Sequence, residues 1–496
     1  MTKRSSSFEL ALGERDTSLS ACFWLYEALR GKVLTGSLRT GTRLPATRDL
    51  ARQYGLSRGT VVNAFERLKS EGYIESNVGS GTYVRGVLPE TLLHVTIRKT
   101  ARPAPVRDRS IAVSDYGKRA KLFPGYENRP VRAFRSNLPA LDLFPAELWS
   151  QVTARCVRRA STNLLMGCEP LGYRPLREAI AEYLNSSRGL KCAAEQVAIV
   201  SGVQEALDLT ARLILNPGDR VYMEDPGYIG ATAVFEACGA KLLNVGLDEE
   251  GIRVSRLLRR DVKLVYVTPG HQFPLAATMS LDRRLQLLEW ARISGALIFE
   301  DDYDSEYRYS GRPIPALQGL DRRGSVIYAG TFSKVLFPAL RIGYMVIPSD
   351  LLHHFEAAKS ITDRHAPLLE QIVLRQFLVE GHFGRHVRRM REIYAHRLAI
   401  LQDEADRKLK DMVEIAGVKA GLQTAGWLFP GIDAEHAASA AAQRNVEVIP
   451  LSRYGRGALP REGFQLGFAA LDGREISRGV EDLAIALASV RRRNVR

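Results

Sequence analysis

Apolar residues recur at helical spacing near the start of the chain, where Leu19, Phe23, Tyr26, Leu29 and Val33 share one face of an expected amphipathic helix. After Gly36 and Gly41, Pro45 opens PATRDLARQYG, a helix with Leu50, Ala51 and Tyr54 turned inward and Gly55 placed to end it. Ser57 is a suitable N-cap for the next helix, SRGTVVNAFERLKSEG, in which Val61, Ala64, Phe65 and Leu68 form a second apolar stripe. Residues 73–75 and 82–84 then read as short strands around a glycine-rich hairpin at 77–81. Helix, turn, helix and hairpin in that order predict a helix-turn-helix followed by a wing.

The pattern changes twice more. Residues 86–130 carry Pro89, Pro103, Pro105, Pro124 and Pro130 with basic runs and no sustained periodicity, which predicts a basic linker. From about Phe134 helices and short apolar strands alternate. Residues 176–184, 204–215 and LDRRLQLLEWARISG are helical, and 197–200, 221–223, 241–245, 263–266, 296–299 and 326–329 are buried-strand candidates. Alternation of this kind predicts a large, mainly parallel sheet, with the residues from about His386 forming a second lobe.

A chain of 496 residues with 45% apolar content is long enough for two or more domains. Its formal charge of +15 favours a polyanionic partner. In the small module, Arg58, Thr60, Asn63, Arg67 and Lys69 are suited to base edges or phosphate oxygens, which makes double-stranded DNA the expected partner. The five cysteines are odd in number and lack metal-knuckle or redox spacing, so reduced thiols are expected. No histidine and carboxylate set has recognisable ligand spacing, and no metal is expected. The N-terminus lacks a signal-peptide core, and no run approaches the roughly 18 apolar residues of a membrane span. The expectation is a cytoplasmic protein with no membrane partner.

Chemistry gathers where strands end. In an open α/β sheet those exits line the ligand crevice. Lys334, in Gly-Thr-Phe-Ser-Lys, follows one strand, and its amine, once made neutral by burial or a nearby cation, can form a Schiff base with an aldehyde. Thr331 and Ser333 offer hydrogen bonds beside it, and Arg341 offers a permanent phosphate clamp. Asp301, after another strand, can keep a pyridine nitrogen protonated, and Tyr303 can reach a phenolate oxygen. Gly202, Val203 and Gln204 open a helix whose positive end suits a phosphate. Tyr228 follows a further strand, where its ring stacks on a heterocycle or fills core space. His271 and Gln272 sit in a turn between prolines as a polar loop for a cofactor.

Two resemblances join these readings. GTRLPATRDLARQYGLSRGTVVNAFERLKSEGYIESNVGSGTYV resembles the winged helix-turn-helix of the GntR superfamily. It implies that Arg43, Arg48, Ser57, Arg58, Thr60 and the wing's Gly81 lie against operator DNA. TPGHQFPLAATMSLDRRLQLLEWA, EDDYDSEYRYSGRPIPALQG and GTFSKVLFPALRIGY resemble fold-type I pyridoxal 5'-phosphate (PLP) proteins of the aspartate aminotransferase superfamily. The combination is similar to the MocR subfamily of GntR regulators. It implies a winged helix-turn-helix at 17–85, a linker at 86–130 and an α/β aminotransferase-like effector and dimerisation domain at 131–496. Lys334 would be the Schiff-base lysine, with Asp301 on the pyridine nitrogen, Tyr303 on the phenolate and Tyr228 on the ring. Thr331, Ser333, Arg341 and the 202–204 turn would take the phosphate.

Two positions depart from the family pattern. Gly167 stands where a phosphate-reaching tyrosine is common, and Gln465 precedes Leu-Gly-Phe where carboxylate-binding relatives have arginine. Two alternatives follow: Arg453 or Arg456 recruits an acidic ligand instead, or the natural ligand lacks the usual carboxylate contact. The preferred function is a PLP-dependent transcriptional regulator that senses an amino compound, or PLP itself, through an internal aldimine. The resemblance also implies a homodimer, and extends to exchange of DNA-binding domains between partners. The alternatives are a PLP-dependent aminotransferase with an accessory nucleic-acid-binding domain, and a DNA-binding scaffold whose large domain only dimerises.

Overall fold

The computed structural model describes residues 10–13, 18–77, 81–86, 112–122, 130–311 and 314–494. The chain divides into two compact units, Met1–Ser110 and Ile111–Arg496.

The small unit holds helices α1 (Ala21–Leu34), α2 (Thr47–Gln53) and α3 (Arg58–Ser70), then strands β1 (Ile74–Asn77) and β2 (Gly81–Val84). Gly55 adopts φ +62° between α2 and α3, a left-handed conformation that costs glycine little. Ser57 caps α3 by accepting from the Thr60 amide at 3.1 Å. Val61, Ala64, Phe65 and Leu68 of α3 pack against α1, as their spacing predicts, but α1 meets them with Trp24, Leu25, Tyr26, Leu29 and Val33. Leu19 and Phe23 are only half-buried, so the stripe on α1 is rotated toward Trp24 and Leu25.

The hairpin is also flanked by an extended edge segment, Thr42–Leu44, not legible in the pattern. Leu44 donates its amide to Thr82, Val84 donates to Thr42, and Arg43 lies opposite Tyr83. Residues 78–80 at the tip of the expected wing, and 87–111 and 123–129 of the expected linker, lie outside the described residues. Within that stretch a short helix, α4 (Asp115–Arg119), is anchored by Arg119 Nε donating to the Ala237 carbonyl at 3.1 Å. The compact unit Ile111–Arg496 includes this helix.

The large unit is built on strands β3 (Val197–Val200), β4 (Arg220–Asp225), β5 (Lys241–Asp248), β6 (Gly251–Ile252), β7 (Val262–Val267), β8 (Leu297–Asp302), β9 (Val326–Thr331) and β10 (Gly343–Val346). Their order in the sheet is β3-β10-β9-β8-β7-β4-β5-β6. Strands β9, β8, β7, β4 and β5 run parallel, whereas β10 is antiparallel to both neighbours. The four-residue β10, GYMV, gave no separate periodic signal. Helix α5 (Val203–Ile214) buries Ala206, Leu207, Leu209 and Ala211 against one face with Val221, Met223 and Phe299. Helix α6 (Leu281–Ser294) packs Leu287 and Ala291 on the other with Val265, Val267 and Ile298. Covered on both faces, the central strands can be apolar throughout.

The second lobe contains α7 (His382–Lys408) and a four-stranded antiparallel sheet of β11 (Val413–Ile415), β12 (Gln423–Leu428), β13 (Ile449–Pro450) and β14 (Gly463–Gly467), in the order β11-β12-β14-β13. It is not made only of the residues after His386. Ala133 bridges to Val446, and Gly467 donates its amide to the Phe134 carbonyl at 2.8 Å. That early segment carries Ser136 and Asn137 to the crevice. All five cysteines are free. Among the described residues, no helix is long and apolar enough to cross a membrane.

Candidate functional site

Because β3, β4, β7, β8 and β9 point the same way, their carboxyl ends meet at one edge of the sheet. The strand ends and the loops that leave them carry Ser201–Gln204, Asp225–Tyr228, Thr268–Pro274, Asp301–Asp304 and Thr331–Lys334, with Asp301 inside β8, which runs three residues past the expected 296–299. Eleven of the twelve candidates for a cofactor thus lie in or just after these exits, and the twelfth, Arg341, sits before β10. The fold collects them because parallel strands direct every exit to the same rim.

Lys334 is half-buried and donates from Nζ to the Asn137 carbonyl at 2.9 Å. Burial pulls its ammonium down to about 8, Asp304 and Asp301 resist the change, and Arg341 adds to it. A lysine amine with a lowered pKa supplies a useful neutral fraction near neutrality. Competitive acetylation of apo protein, read by mass spectrometry at the Lys334 peptide, is expected to titrate with a midpoint near 8. Reactivity rises with pH through that midpoint and then levels. A midpoint near the ordinary lysine value of 10.5 would contradict the assignment.

Asp301, 4% exposed, accepts from the Tyr266 hydroxyl at 2.7 Å through Oδ2. Its other oxygen, Oδ1, is buried and has no partner among the described residues. Burial raises its pKa to about 7. The Tyr266 bond opposes that shift, and the carboxylates of Asp302, Asp304 and Glu224 reinforce it. A protonated ring nitrogen would satisfy the orphaned oxygen and lower that pKa.

Tyr303 contacts His271 Nδ1 at 3.1 Å, and burial, followed by the charges of Asp304 and Asp301, raises its phenol well above the ordinary value. His271 Nδ1 also lies 3.0 Å from Asp304 Oδ2, while its Nε2 has no partner among the described residues. Gln272 is committed differently from a ligand-facing amide. Its Nε2 donates to Glu224, the Pro226 carbonyl and the Phe273 carbonyl, and its Oε1 accepts from the Leu275 amide. Those four bonds hold the loop that carries His271. Tyr228 donates to Gln204 Oε1 at 3.2 Å and sets its ring edge-on to Phe273.

The expected phosphate side is a backbone cradle. Gly202 precedes α5 with φ +130°, a conformation available chiefly to glycine, and α5 has no side-chain cap. The amides of Val203 and Gln204 therefore form the helix's positive terminus, while the Gln204 side chain is spent on Gly230 and Tyr228. A Cβ at Gly202 would stand 3.5 Å from the Arg341 guanidinium, which has no carboxylate partner among the described residues. Thr331 Oγ1 accepts from the Ser333 amide at 3.1 Å, and the buried Ser333 Oγ has no partner among the described residues.

These observations fit pyridoxal phosphate group by group. Asp301 Oδ1 would meet its ring nitrogen, Tyr303 its phenolate, Lys334 its aldehyde, and Ser333, Arg341 and the α5 amides its phosphate. Among the described residues, no cluster of three or more His, Cys, Asp or Glu side chains is arranged for a metal. Tyr266, Asp304 and Asn137 join the site without having been among the sequence candidates. Asp304 stands in the EDDYDSE cluster, but nothing local marks Asn137, which reaches Lys334 from 197 positions away.

In the small unit, the nine candidate DNA contacts occupy the Thr42–Leu44 segment, α2, the turn, α3 and the hairpin. Arg43, Arg48, Ser57, Arg58, Asn63 and Lys69 are exposed, and Thr60 is half-buried. A Cβ on Gly81 would collide with Arg43 Nε at 2.7 Å, so the glycine lets that arginine cross the hairpin. The α3 side chains do not share one face. At about 100° per residue, Arg58 and Lys69 project on the flank opposite Thr60 and Arg67, with Asn63 nearer the latter pair. Arg67 is also committed within the unit, with its guanidinium 4.2 Å from the Tyr26 ring centroid and 3.1 Å from Glu71. Thr60 Oγ1 pairs with Ser57 Oγ at 2.8 Å, which fixes the start of α3.

The fold and this rim define a pyridoxal-phosphate aminotransferase-like domain of fold type I fused to a gntR-type DNA-binding module. Residues 141–483 match the model of aminotransferase class I and II, and residues 24–84 match that of bacterial regulatory proteins of the gntR family. The chain belongs to the MocR-type GntR regulators. It is 39% identical to the probable rhizopine catabolism regulatory protein MocR of Rhizobium meliloti, over 96% of both chains. It is 31% identical to the pyridoxine biosynthesis regulator PdxR of Corynebacterium glutamicum, over 90% of this chain and 92% of that one. The structure of LysN, an alpha-aminoadipate aminotransferase from Thermus thermophilus, aligns with a TM-score of 0.67 at 30% identity, covering 73% of this chain and 92% of that one.

Proposed function

We propose that the chain is a transcriptional regulator that holds pyridoxal phosphate through Lys334 and reports an amino compound, or the cofactor itself, to operator DNA. In this reading residues 17–85 read the operator, 86–130 connect, and 131–496 bind the effector and dimerise, with DNA-binding domains exchanged between partners. When bound, the cofactor supplies an aldehyde carbon open to amines and an electron-poor ring. Lys334 presents the competing amine, Asp301 holds a proton at the ring nitrogen, and the α5 amides with Arg341 orient the phosphate. On the DNA side, Arg58, Asn63 and Lys69 are free to approach bases or phosphates, and Arg43 and Arg48 to approach the backbone.

The observation that carries the reading is that one rim of the sheet holds both a lysine amine lowered to about 8 and an orphaned Asp301 oxygen, in a chain that also bears a helix-turn-helix. Sensing requires that the ligand bind two states of the protein with different free energies. The test is fluorescence anisotropy of a selected operator fragment with full-length protein, titrated with and without PLP and a pool of amines. A shift in Kd within the roughly 5- to 150-fold range of ordinary coupling is expected. Operator affinity that ignores both additions, together with steady amine turnover, would replace this reading with an aminotransferase carrying an accessory DNA-binding domain.

A further inference from the structure

A ligand amine that reaches Lys334 must place its remaining groups against the wall formed by the second lobe. Asn137, whose carbonyl accepts from Lys334, is held by its amide donating to Gln423 Oε1 at 3.1 Å. Its neighbour Ser136 donates to Gln465 Oε1 at 2.9 Å, and Tyr454 donates to the same oxygen at 2.7 Å. The Tyr454 ring stands edge-on to Phe273 at 5.1 Å, and Phe273 stands edge-on to Tyr303 and Tyr228. Gln465 is thus joined to the Lys334 crevice on two sides.

Gln465 is fully buried in β14, and its Nε2 has no acceptor among the described residues. A buried amide donor left unpaired costs free energy that a ligand oxygen would recover.

The nearby cations are already committed. Arg453 is held by Glu435, with Nε to Oε1 at 2.9 Å, and Arg456 pairs with Glu236 while its amide donates to Asp225 at 2.9 Å. Arg135 lies 4.0 Å from Glu447, and Arg341 stands at the Gly202 cradle. The expectation that Arg453 or Arg456 receives an acidic ligand is therefore not supported by their pairing. A carboxylate carried into this wall would lose hydration without gaining a cation, whereas a hydroxyl would meet a waiting donor.

From this geometry we infer that the ligand taken at Lys334 is a primary amine bearing a neutral oxygen, such as a hydroxyl, where an amino acid bears its α-carboxylate. The inference rests on the cofactor reading above. Gln465 is then the residue that sets ligand class.

L-alaninol and L-alanine differ only in a hydroxymethyl group replacing the carboxylate, so they isolate this choice. Full-length protein loaded with PLP is titrated with each, and the concentration that half-shifts the visible absorbance of lysine-bound cofactor is read. L-alaninol is expected to act at roughly tenfold lower concentration than L-alanine, the equivalent of one good polar contact. Gln465→Arg is expected to reverse the order, and Gln465→Leu to weaken L-alaninol without improving L-alanine. Thermal unfolding of each variant separates misfolding from altered preference, and the wild-type pair decides by itself if a variant does not fold. If L-alanine acts at equal or lower concentration on the wild type, the inference is overturned while the cofactor reading stands. If PLP produces no lysine-dependent absorbance at all, both fall.

Discussion

Lys334→Ala is expected to lose every trace of borohydride-fixable pyridoxal phosphate while still binding operator DNA. The amine is the covalent contact in this account, and no other lysine lies among the residues that line the strand exits. Alanine retains none of that chemistry, so the effect on attachment is complete rather than graded. Cofactor affinity falls only to what the ring and phosphate contacts provide. Operator affinity in the absence of ligand stays within roughly threefold, less than 1 kcal/mol, because the small unit has a core of its own around α1 and α3. The response of that affinity to amines disappears. Intact mass after borohydride reduction, paired with operator anisotropy, checks both halves. A wild-type mass gain in the variant would remove Lys334 from its role, and loss of operator binding at unchanged thermal stability would show that the two units do not divide the work.

Asp301→Asn is expected to move two quantities in opposite directions. Asparagine keeps the shape of the side chain and its contact with Tyr266 but carries no charge. The folded-state pKa of Asp301 is raised to about 7 from an ordinary 3.8, so the folded chain binds a proton more tightly than the unfolded one. Stability from this group is present below about pH 4 and is lost as pH rises through about 7. At pH 8 the variant of the apo protein is therefore expected to be more stable, by on the order of 1–4 kcal/mol, with the advantage fading as pH falls toward 4. With PLP the sign reverses. The charge that destabilises the apo fold is the one that would pair with the ring nitrogen, and its removal is expected to weaken cofactor binding by roughly 10- to 100-fold. Denaturant titrations of the apo forms at pH 5 and pH 8, with equilibrium dialysis of PLP, read the two effects. Equal PLP affinity in wild type and variant would detach Asp301 from the ring.

The large sheet and the reader helices were legible because their signals are local. Residues 197–200 are a strand in both the apolar pattern and the structure, and Val61, Ala64, Phe65 and Leu68 face inward as their spacing requires. Short strands whose partners lie far away were not visible: β10, the Thr42–Leu44 edge beside the hairpin and the sheet of the second lobe are each a few residues long and take their form from pairing. The site followed the same division. Tyr303 and Lys334 stand just after β8 and β9, and Asp301 is the penultimate residue of β8 rather than past its end, so their convergence could be read from chain order. Which polar groups remain available could not. Gln272 and Gln204 spend their side chains holding loops, Arg67 is drawn onto the rings of α1, and Asn137 arrives at Lys334 through the pairing of residues 133–134 with the second lobe. Only the packed structure decides those allocations.

The most direct test is to incubate wild-type protein with pyridoxal phosphate, reduce it with borohydride, digest it and locate the phosphopyridoxyl group by peptide sequencing. The group is expected on Lys334, in the peptide that follows β9. A group on another lysine, or no fixed cofactor at saturating concentration, would contradict it.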